Sequence, residues 1–441
     1  MLQARLQLDY IKSAKNDRDL KIMIKGLPDG LESTYETLLR HTASQYPEQI
    51  TDMKTLLRCL VIASPTLTAA SLAEILAMQP GQPYLDFDAV ATDPYDILDI
   101  IAPFVVLTDQ EKVQSVVKLS HYSLDEYLLS DRIRQSQASE FHVDYAEGNA
   151  WLACTSLQYL TFDVFDCLTY GIPRPGIPLS LPEDYAFRRY ATLNWFRHYG
   201  RARTVSTFRN RCEPYLRRLL GSYCYKQWQE EYAREYPYDE IYQYSPIGFT
   251  ISQGMDEIVD DMLAPLADIN ASIGGPDGIT CLTLAAKWNR ASIVRKLLDL
   301  GSRLEVVNAK GRTALHAACE FASREAFDIL LEAGANVHAR ASSGSTPFYL
   351  ACRGGDTAIV KRLRDCGCDI NSRTHDSWTP IMEAVENGHE DVVDLLLEWG
   401  ADLTITTKQR WTVFLIAEDG FNLAPSKSIS EKLANAAPRN F

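Results

Sequence analysis

The sequence predicts a mostly α-helical protein whose C-terminal part is an α-solenoid of stacked helix pairs. Threonines recur at intervals of 33 residues, and glycines keep the same interval. A leucine-rich segment such as 294–298 precedes each of these glycines. One turn and two short helices in each unit of this length are typical of a repeat protein whose neighbours bury each other's apolar faces. The threonines are Thr280, Thr313, Thr346, Thr379 and Thr412, and the glycines are Gly301, Gly334, Gly367 and Gly400.

The unit around Thr313 contains the local signals that such a repeat needs. Gly311 suits the turn, Thr313 suits the N-cap of the first helix, and the small side chains of Ala317 and Ala318 let helices approach closely. Four segments resemble the ankyrin pattern G-x-T-P-L-H-x-A-A. They are Gly278–Asn308, Gly311–Ala339, Gly344–Asn371 and Ser377–Thr404.

The chain is expected to contain several domains. We predict a helical lead-in over 1–50, a winged-helix-like domain over 51–135, a helical linker region over 136–244, and ankyrin repeats over 245–441. Four clear repeats occupy 276–404, and degenerate units at 245–275 and 405–441 have the atypical sequences expected of end caps.

The winged-helix-like prediction rests on the order of elements in 51–135. Helices are expected over 53–63, from Thr68 to about Gln79, and over 93–101. Two strands, 104–108 and 113–119, then alternate apolar and polar residues around a polar turn, and a helix at 121–128 closes the domain. Three helices followed by a hairpin are typical of a winged helix.

Composition limits the function classes. The chain of 441 residues has a net charge of −14, which disfavours nucleic acids and anionic membranes as default partners. Ten cysteines lack C-x-x-C spacing, as expected of reduced thiols in the cytoplasm or nucleus. We find neither a signal peptide nor an apolar run of membrane-spanning length, so a soluble intracellular protein is expected.

Several segments outside the repeats resemble fungal NACHT-ankyrin proteins. They are Leu27–Arg40, the helical unit after it, His121–Leu128 and Tyr190–His198. The resemblance covers roughly 20–420 and implies the region that follows a nucleotide-binding domain. Nucleotide binding in that family requires G-x-x-x-x-G-K-[ST], and Gly-Lys-Ser or Gly-Lys-Thr is absent from this sequence. We therefore expect a relative without its NTPase and no ATP or GTP hydrolysis.

Charge argues against DNA recognition by the winged-helix-like region, since positions 59–111 contain neither Lys nor Arg. The opposite extreme is 188–218, where nine arginines face one acid, Glu213. Interleaved aromatic residues there would suit stacking on single-stranded nucleic acid. The favoured interpretation is ordered ion pairing with the acidic residues that follow, Glu230, Glu231, Glu235, Asp239 and Glu240.

Aromatic residues crowd 223–244, and Trp228, Tyr232 and Tyr236 share one helical face. They are interpreted either as a hot spot for a partner or, preferably, as a seal between the helical region and the first repeat.

The sequence contains only weak signals for catalytic and metal-binding sites. Cys366 and Cys368 lie near His375, but their spacing fits no common zinc pattern. His316 occupies the histidine position of the repeat motif, where the resemblance implies that it braces the turn. The segment with His121, Ser123, Asp125 and Glu126 lacks a G-x-S-x-G elbow. We expect no enzyme activity, no cofactor, no metal and no small-molecule substrate.

The predicted function is a non-enzymatic adaptor that binds a protein through its ankyrin stack, as a transcription co-regulator or a signalling scaffold. The alternative is the regulatory half of a NACHT-type switch whose NTPase is on another chain or a longer transcript. The second residue of each G-x-T turn is expected to point freely to solvent, at Ile279, Arg312, Ser345, Trp378 and Trp411. The predicted partner-binding residues are Trp288, Arg290, Arg312, Phe321, Arg353, Trp378 and Trp411.

Overall fold

The structure is a computed structural model, and it describes residues 30–108, 115–162, 185–419 except 203, 222, 265 and 267, and 427–436. The chain divides into two compact units, Met1–Pro237 and Tyr238–Phe441. Both are largely helical over their described residues, and the predicted fold class, a helical region followed by a repeat solenoid, is confirmed.

The N-terminal unit is built mainly from α-helices. Its described α-helices are α1 (Leu31–Gln45), α2 (Ile50–Ile62), α3 (Ala69–Ala77), α4 (Tyr122–Leu129), α5 (Asp131–Arg134), α6 (Tyr145–Leu160), α7 (Arg188–Arg201), α8 (Phe208–Gly221) and α9 (Tyr223–Glu235). Thr68 starts α3 as predicted, because its hydroxyl accepts a hydrogen bond from the Ser71 amide at 3.1 Å.

The third predicted helix differs from the expectation. Asp96–Phe104 is a 3₁₀ helix and not an α-helix. Pro103 lies inside this segment and lacks the N–H that an α-helix would bond to the Asp99 carbonyl. The hairpin follows, with β1 (Val105–Thr108) antiparallel to β2 (Val116–Leu119) and Val105 opposite Leu119. The predicted turn at 109–112 lies outside the described residues.

Glu74 joins three segments of the N-terminal unit. Its carboxylate is 3% exposed and accepts hydrogen bonds from the Tyr159 hydroxyl at 2.7 Å and from the amides of Ala186 and Phe187 at 2.8 Å each. Glu74 is one of the acids in the 59–111 segment, which contains neither Lys nor Arg, so its carboxylate finds its partners elsewhere in the chain. A buried carboxylate needs such donors, and here they come from more than 80 residues away along the chain.

Helices α6 and α7 are connected through a buried histidine. His198 is 1% exposed, its Nδ1–H donates to the Asn149 side-chain oxygen at 2.8 Å, and its Nε2 accepts from the Tyr190 hydroxyl at 2.7 Å. Burial, with the nearby charges of Arg201 and Arg197, lowers the pKa of His198 to about 3. The imidazole is therefore neutral and structural at physiological pH.

The repeat unit consists of successive helix pairs. The pairs are α10 (Pro246–Gln253) with α11 (Asp256–Leu263), α12 (Cys281–Lys287) with α13 (Ala291–Asp299), α14 (Ala314–Glu320) with α15 (Arg324–Glu332), α16 (Pro347–Gly354) with α17 (Thr357–Asp365), α18 (Pro380–Glu386) with α19 (Glu390–Glu398), and α20 (Val413–Asp419) with α21 (Lys427–Ala436). One continuous apolar core runs through these pairs, from Ile247 to Leu433. Each pair therefore buries its apolar faces against its neighbours.

The turns before the first helices repeat one backbone conformation. Gly311 and Gly344 have φ values of 69° and 82°, and a Cβ at Gly311 would lie 2.7 Å from the Ser342 amide nitrogen. Ser377 and Arg410 hold the same left-handed conformation, with φ values of 66° and 65°. The turn geometry therefore persists where the glycine has been lost, at some cost in backbone strain.

Successive turns are joined by main-chain hydrogen bonds. The Ala309 amide donates to the Asp277 carbonyl at 2.8 Å, and the Ser342 amide donates to the Lys310 carbonyl at 2.9 Å. Equivalent bonds of 2.8 and 3.0 Å follow at the next two junctions, from His375 and Lys408. These bonds hold the turns in one row, beside the first helices.

Within the described part of the chain, none of the helices combines the length and the apolar character needed to cross a lipid bilayer.

Candidate functional site

A cavity opens between the turns and first helices of the third, fourth and fifth helix pairs. Its volume is about 540 Å³. Turn residues contribute one wall and residues of α16 and α18 contribute the other. The lining residues are Arg312, Ser343, Ser345, Tyr349, Leu350, Arg353, Thr374, Asp376, Trp378, Glu383, Glu386 and Asn387. The cavity thus brings together three of the predicted partner-binding residues, Arg312, Arg353 and Trp378.

A chain of charged groups crosses the cavity. Arg312 forms an ion pair with Glu320, and the guanidinium of Arg353 lies 3.5 Å from a Glu320 oxygen and 3.6 Å from a Glu383 oxygen. The Tyr349 hydroxyl donates to Glu383. Burial, reinforced by the charge of Glu383, raises the pKa of Tyr349, so this hydroxyl keeps its proton. Both cavity arginines are therefore already balanced by carboxylates of the same stack.

Trp378 and Trp411 are less exposed than predicted. Both indole rings are partly buried and pack against the core of the repeat unit. The Trp378 amide donates to the Thr374 hydroxyl at 3.1 Å, and the Trp411 amide donates to the Thr407 hydroxyl at 3.0 Å. These bonds fix the main chain of each turn. Because both rings pack against the core, the prediction that they project freely into solvent is wrong.

The expectation that the second residue of each turn is free is wrong at other positions also. Ile279 and Ser345 are 6% and 4% exposed, and the Arg312 side chain is 20% exposed. The physical reason is main-chain pairing across the turn. The amides of Asn308 and Ala341 donate to the carbonyls of Arg312 and Ser345 at 3.0 and 2.9 Å. These bonds fold the second half of each turn, which carries the second residue, back onto the repeats.

The other predicted binding residues form a second group, toward the start of the repeats. Phe321 is 48% exposed, and the Lys287 ammonium lies 4.7 Å from its ring centroid. Trp288 is partly buried against the core. The Arg290 guanidinium donates to the Ser252 carbonyl, with Nε at 3.1 Å, so it fixes the end of α10. Trp288, Arg290 and Phe321 are therefore not among the residues that line the cavity.

Four carboxylate and aromatic residues of the cavity were missed by sequence analysis: Tyr349, Asp376, Glu383 and Glu386. A signal for part of this set exists in the sequence. Positions 287, 320, 353 and 386 keep the 33-residue interval and alternate in charge, as Lys287, Glu320, Arg353 and Glu386. Since neighbouring repeats place equivalent residues side by side, alternating charges at one repeat position predict a ladder of ion pairs.

His316 has the bracing position that the resemblance implied. It is fully buried, its Nδ1 accepts from the Thr313 amide at 3.2 Å, and its Nε2–H donates to the Ser345 carbonyl at 3.3 Å. Burial lowers the pKa of His316 to about 4, and the charge of Arg312 acts in the same direction. The neutral imidazole therefore connects the cap of α14 to the next turn.

The weaker candidates lie in structural positions. Cys368 is buried with Sγ 3.7 Å from the Val337 carbonyl, whereas Cys366 is exposed. Across the described residues, no group of three or more His, Cys, Asp and Glu side chains is arranged to hold a metal ion. His121 caps α4 by accepting from the Ser123 amide at 3.2 Å, and the Ser123 hydroxyl lies 2.8 Å from that of Tyr35.

The arginine-rich segment forms some of the predicted ion pairs. Arg188 pairs with Glu231, and Arg189 lies 2.8 Å from Glu235, which confirms these two partners. Arg211 lies 3.1 Å from Glu147, a partner that sequence analysis did not foresee. The side chains of Arg203 and Arg209 lie outside the described residues.

The aromatic face of α9 is buried within the N-terminal unit. Trp228 and Tyr232 are each 2% exposed, and the Trp228 indole N–H donates to the Thr192 carbonyl of α7 at 2.7 Å. Phe196 of α7 meets Tyr232 edge to face, with ring centroids 5.5 Å apart. The interpretation of Trp228 and Tyr232 as an exposed hot spot for a partner is therefore wrong.

The repeat unit matches a known family over most of its length. The family described as "Ankyrin repeats (3 copies)" matches residues 248–341 and 338–407. Residues 248–407 are ankyrin repeats. The match begins at 248, so it includes most of α10 and all of α11, the helices of the degenerate first unit. Ankyrin repeats act in protein–protein interaction, and that coarse function follows for this part of the chain.

Two curated proteins are similar to parts of the chain. "Azaphilone pigments biosynthesis cluster protein L" from Monascus ruber is 24% identical over 317 residues, which cover 66% of this chain and 63% of that protein. The "Neurogenic locus Notch protein" of Drosophila melanogaster is 37% identical over 73 residues, 17% of this chain and 3% of that protein. The Monascus similarity covers more of the chain than the repeat unit contains, so it extends into the N-terminal unit.

Proposed function

We propose that this protein is a non-enzymatic adaptor that binds a protein segment in the cavity of its ankyrin repeats. The observation that carries the proposal is the grouping of Arg312, Arg353 and Trp378 around one opening of about 540 Å³. Cavities of this size accept an anchoring side chain with its flanking backbone. Residues from three successive helix pairs contribute, so the stacked arrangement is needed to build the site.

Regulation of a fungal biosynthetic gene cluster is the process we favour. The Monascus relative is named as a protein of a pigment biosynthesis cluster, and the similarity includes residues of both units. The N-terminal unit supports indirect action on transcription. Its proposed winged-helix-like region lacks basic residues from 59 to 111, so DNA contact would pass through another protein.

Site-specific photo-cross-linking tests the proposed binding face. A photoreactive amino acid replaces Asp376, which is exposed and lines the cavity. A matched variant replaces Asp394, which is exposed on α19. We expect the variant at 376 to cross-link one cellular protein that the variant at 394 does not capture. Cross-links confined to position 394 would place the interaction on the outer helices and contradict the proposal.

A further inference from the structure

The residues at positions 287, 320, 353 and 386, called here the charge ladder, alternate in charge, but the alternation stops at the next equivalent position. Lys287, Glu320, Arg353 and Glu386 alternate at 33-residue intervals, but the next position in this series, 419, is aspartate. Glu320 and Arg353 of the ladder lie 3.5 Å apart, so equivalent positions do meet across repeats. By sequence, the ladder therefore ends with two consecutive acidic positions, the first of which lines the cavity.

The cavity has an excess of negative charge. Arg312 and Arg353 face Asp376, Glu383 and Glu386 among the lining residues, and Glu320 adds a fourth carboxylate through its contacts with both arginines. Glu383 and Glu386 are 8% and 6% exposed, and buried carboxylates attract a counter-charge strongly because water screens them poorly. The surrounding unit, residues 238–441, has 28 acidic against 19 basic residues and adds to the attraction.

An aromatic wall completes a site for a cation. Trp378 lines the same cavity, and the face of an indole ring attracts ammonium and guanidinium groups. A guanidinium is planar, stacks on aromatic faces and donates to carboxylates in a fixed fork. Trp378 and the acidic residues together match these two properties better than they match the point charge of lysine.

We infer that the cavity binds an arginine side chain presented by a segment of the partner protein. The inference rests on the proposed adaptor function and specifies the chemistry of its anchor. An acidic anchor is disfavoured because Arg312 and Arg353 already contact Glu320 and Glu383. The arginine fits within about 540 Å³ with room for adjoining backbone.

Peptide selection with the full-length chain tests the inference. A display library of random heptapeptides is panned on the protein, and selected peptides are synthesised with a fluorophore for anisotropy titration. We expect selected sequences to share an arginine, and replacement of that arginine by neutral citrulline to weaken binding at least ~10-fold. Replacement by lysine should weaken binding less than citrulline does, because the charge is kept.

Protein variants locate the bound arginine. Glu386→Gln and Asp376→Asn should each weaken binding by ~5-fold or more, since each removes one carboxylate of the cavity. Glu386 is buried, whereas Asp376 is exposed at a turn, so Asp376→Asn is expected to retain the fold. It tests the inference even if Glu386→Gln does not fold. Glu398→Gln is the matched control, because Glu398 is exposed at the end of α19. It should leave affinity unchanged.

The outcomes separate the inference from the adaptor function. Peptides without a basic residue that lose binding to Trp378→Ala, but not to Glu386→Gln and Asp376→Asn, would overturn the arginine anchor and leave the adaptor function standing. Peptides whose binding ignores all three cavity variants would contradict both. Failure to enrich any peptide overturns the arginine inference, while cross-linking at position 376 still decides the adaptor function independently.

Discussion

The imidazole of His316 donates a hydrogen bond to the main-chain carbonyl of Ser345, 29 residues further along the chain. One buried side chain thereby connects the first helix of a repeat with the turn of the next. Ser345 also lines the cavity, so His316 helps to position that wall.

Acid is expected to destabilise the repeat unit through His316. Burial lowers its pKa to about 4, whereas the unfolded chain titrates near pH 6.5. The unfolded state therefore binds the extra proton first, and stability falls as pH decreases from about 6.5 toward 4. We expect about 2 kcal/mol to be lost from this residue between pH 7 and pH 5, measured by urea denaturation.

The matched control for this titration is His338→Gln, because His338 is exposed. His316→Gln should reduce the loss of stability between pH 7 and pH 5, and His338→Gln should not. Equal pH dependence in the wild type and in His316→Gln would show that His316 does not carry the effect.

Trp378→Ala is expected to weaken binding of the cross-linked partner by at least ~2 kcal/mol, as loss of an aromatic hot-spot residue does. Calorimetry with the purified partner measures the change. Trp411→Ala tests whether the site continues into the next helix pair. Trp399→Ala is the control, since Trp399 is also partly buried against the core but follows α19. Equal affinities for all three variants and the wild type would place the site elsewhere.

Glu74→Gln should destabilise the N-terminal unit by about 2 kcal/mol, because an amide cannot accept all three hydrogen bonds that the carboxylate receives. Differential scanning calorimetry should show a lower transition temperature. Asp88→Asn replaces an exposed acid of the same unit and should leave it unchanged. Identical transitions for both variants would contradict the structural role of Glu74.

Purified protein should not retard duplex DNA at physiological salt. Counterion release requires basic side chains, yet residues 59–111 contain none. In the arginine-rich segment, Arg188 and Arg189 are paired with acids. Recovery with chromatin should depend on a DNA-binding partner. A specific shift at sub-micromolar affinity that Arg201→Glu abolishes would show that the chain binds DNA directly.

ATP and GTP should leave the melting temperature unchanged. The sequence lacks the Gly-Lys-Ser/Thr loop, which places the lysine and hydroxyl groups that a triphosphate with Mg²⁺ needs. A ligand at a hundredfold excess over its Kd would stabilise the protein by about 2.7 kcal/mol, a shift that thermal melting detects readily. A clear rise in melting temperature with either nucleotide would contradict this prediction and support the alternative of a nucleotide-driven switch.

Local sequence signals predicted the repeats well, because the turn and the cap of each unit are encoded within a few residues. Thr313 accepts the predicted capping bond, and Thr280 and Thr346 accept the equivalent bonds in their own repeats. Thr379 does not cap α18 through its side chain in the described contacts. The motif is therefore retained in sequence where one of its bonds is lost.

Contacts between distant segments could not be predicted in the same way. The donors to Glu74 lie more than 80 residues away along the chain. The residues next to Glu74 in the sequence therefore do not indicate that its carboxylate is buried. Trp378 occupies a turn position, yet its burial is decided by packing against other repeats. The alternating charges from Lys287 to Glu386 are visible in the sequence. They indicate contacts between opposite charges only because adjacent repeats stack side by side.

The row of main-chain bonds between turns gives the stack a preferred direction of bending. Amide-to-carbonyl bonds of 2.8 to 3.0 Å link consecutive turns, from Asp277 to Lys408, and such bonds resist stretching. The second helices meet through side chains, which slide and repack at lower cost. Thermal bending should therefore widen the spacing between second helices more easily than the spacing between turns. The mouth of the cavity, which is built on the stiff edge, would keep its width while the outer edge fluctuates.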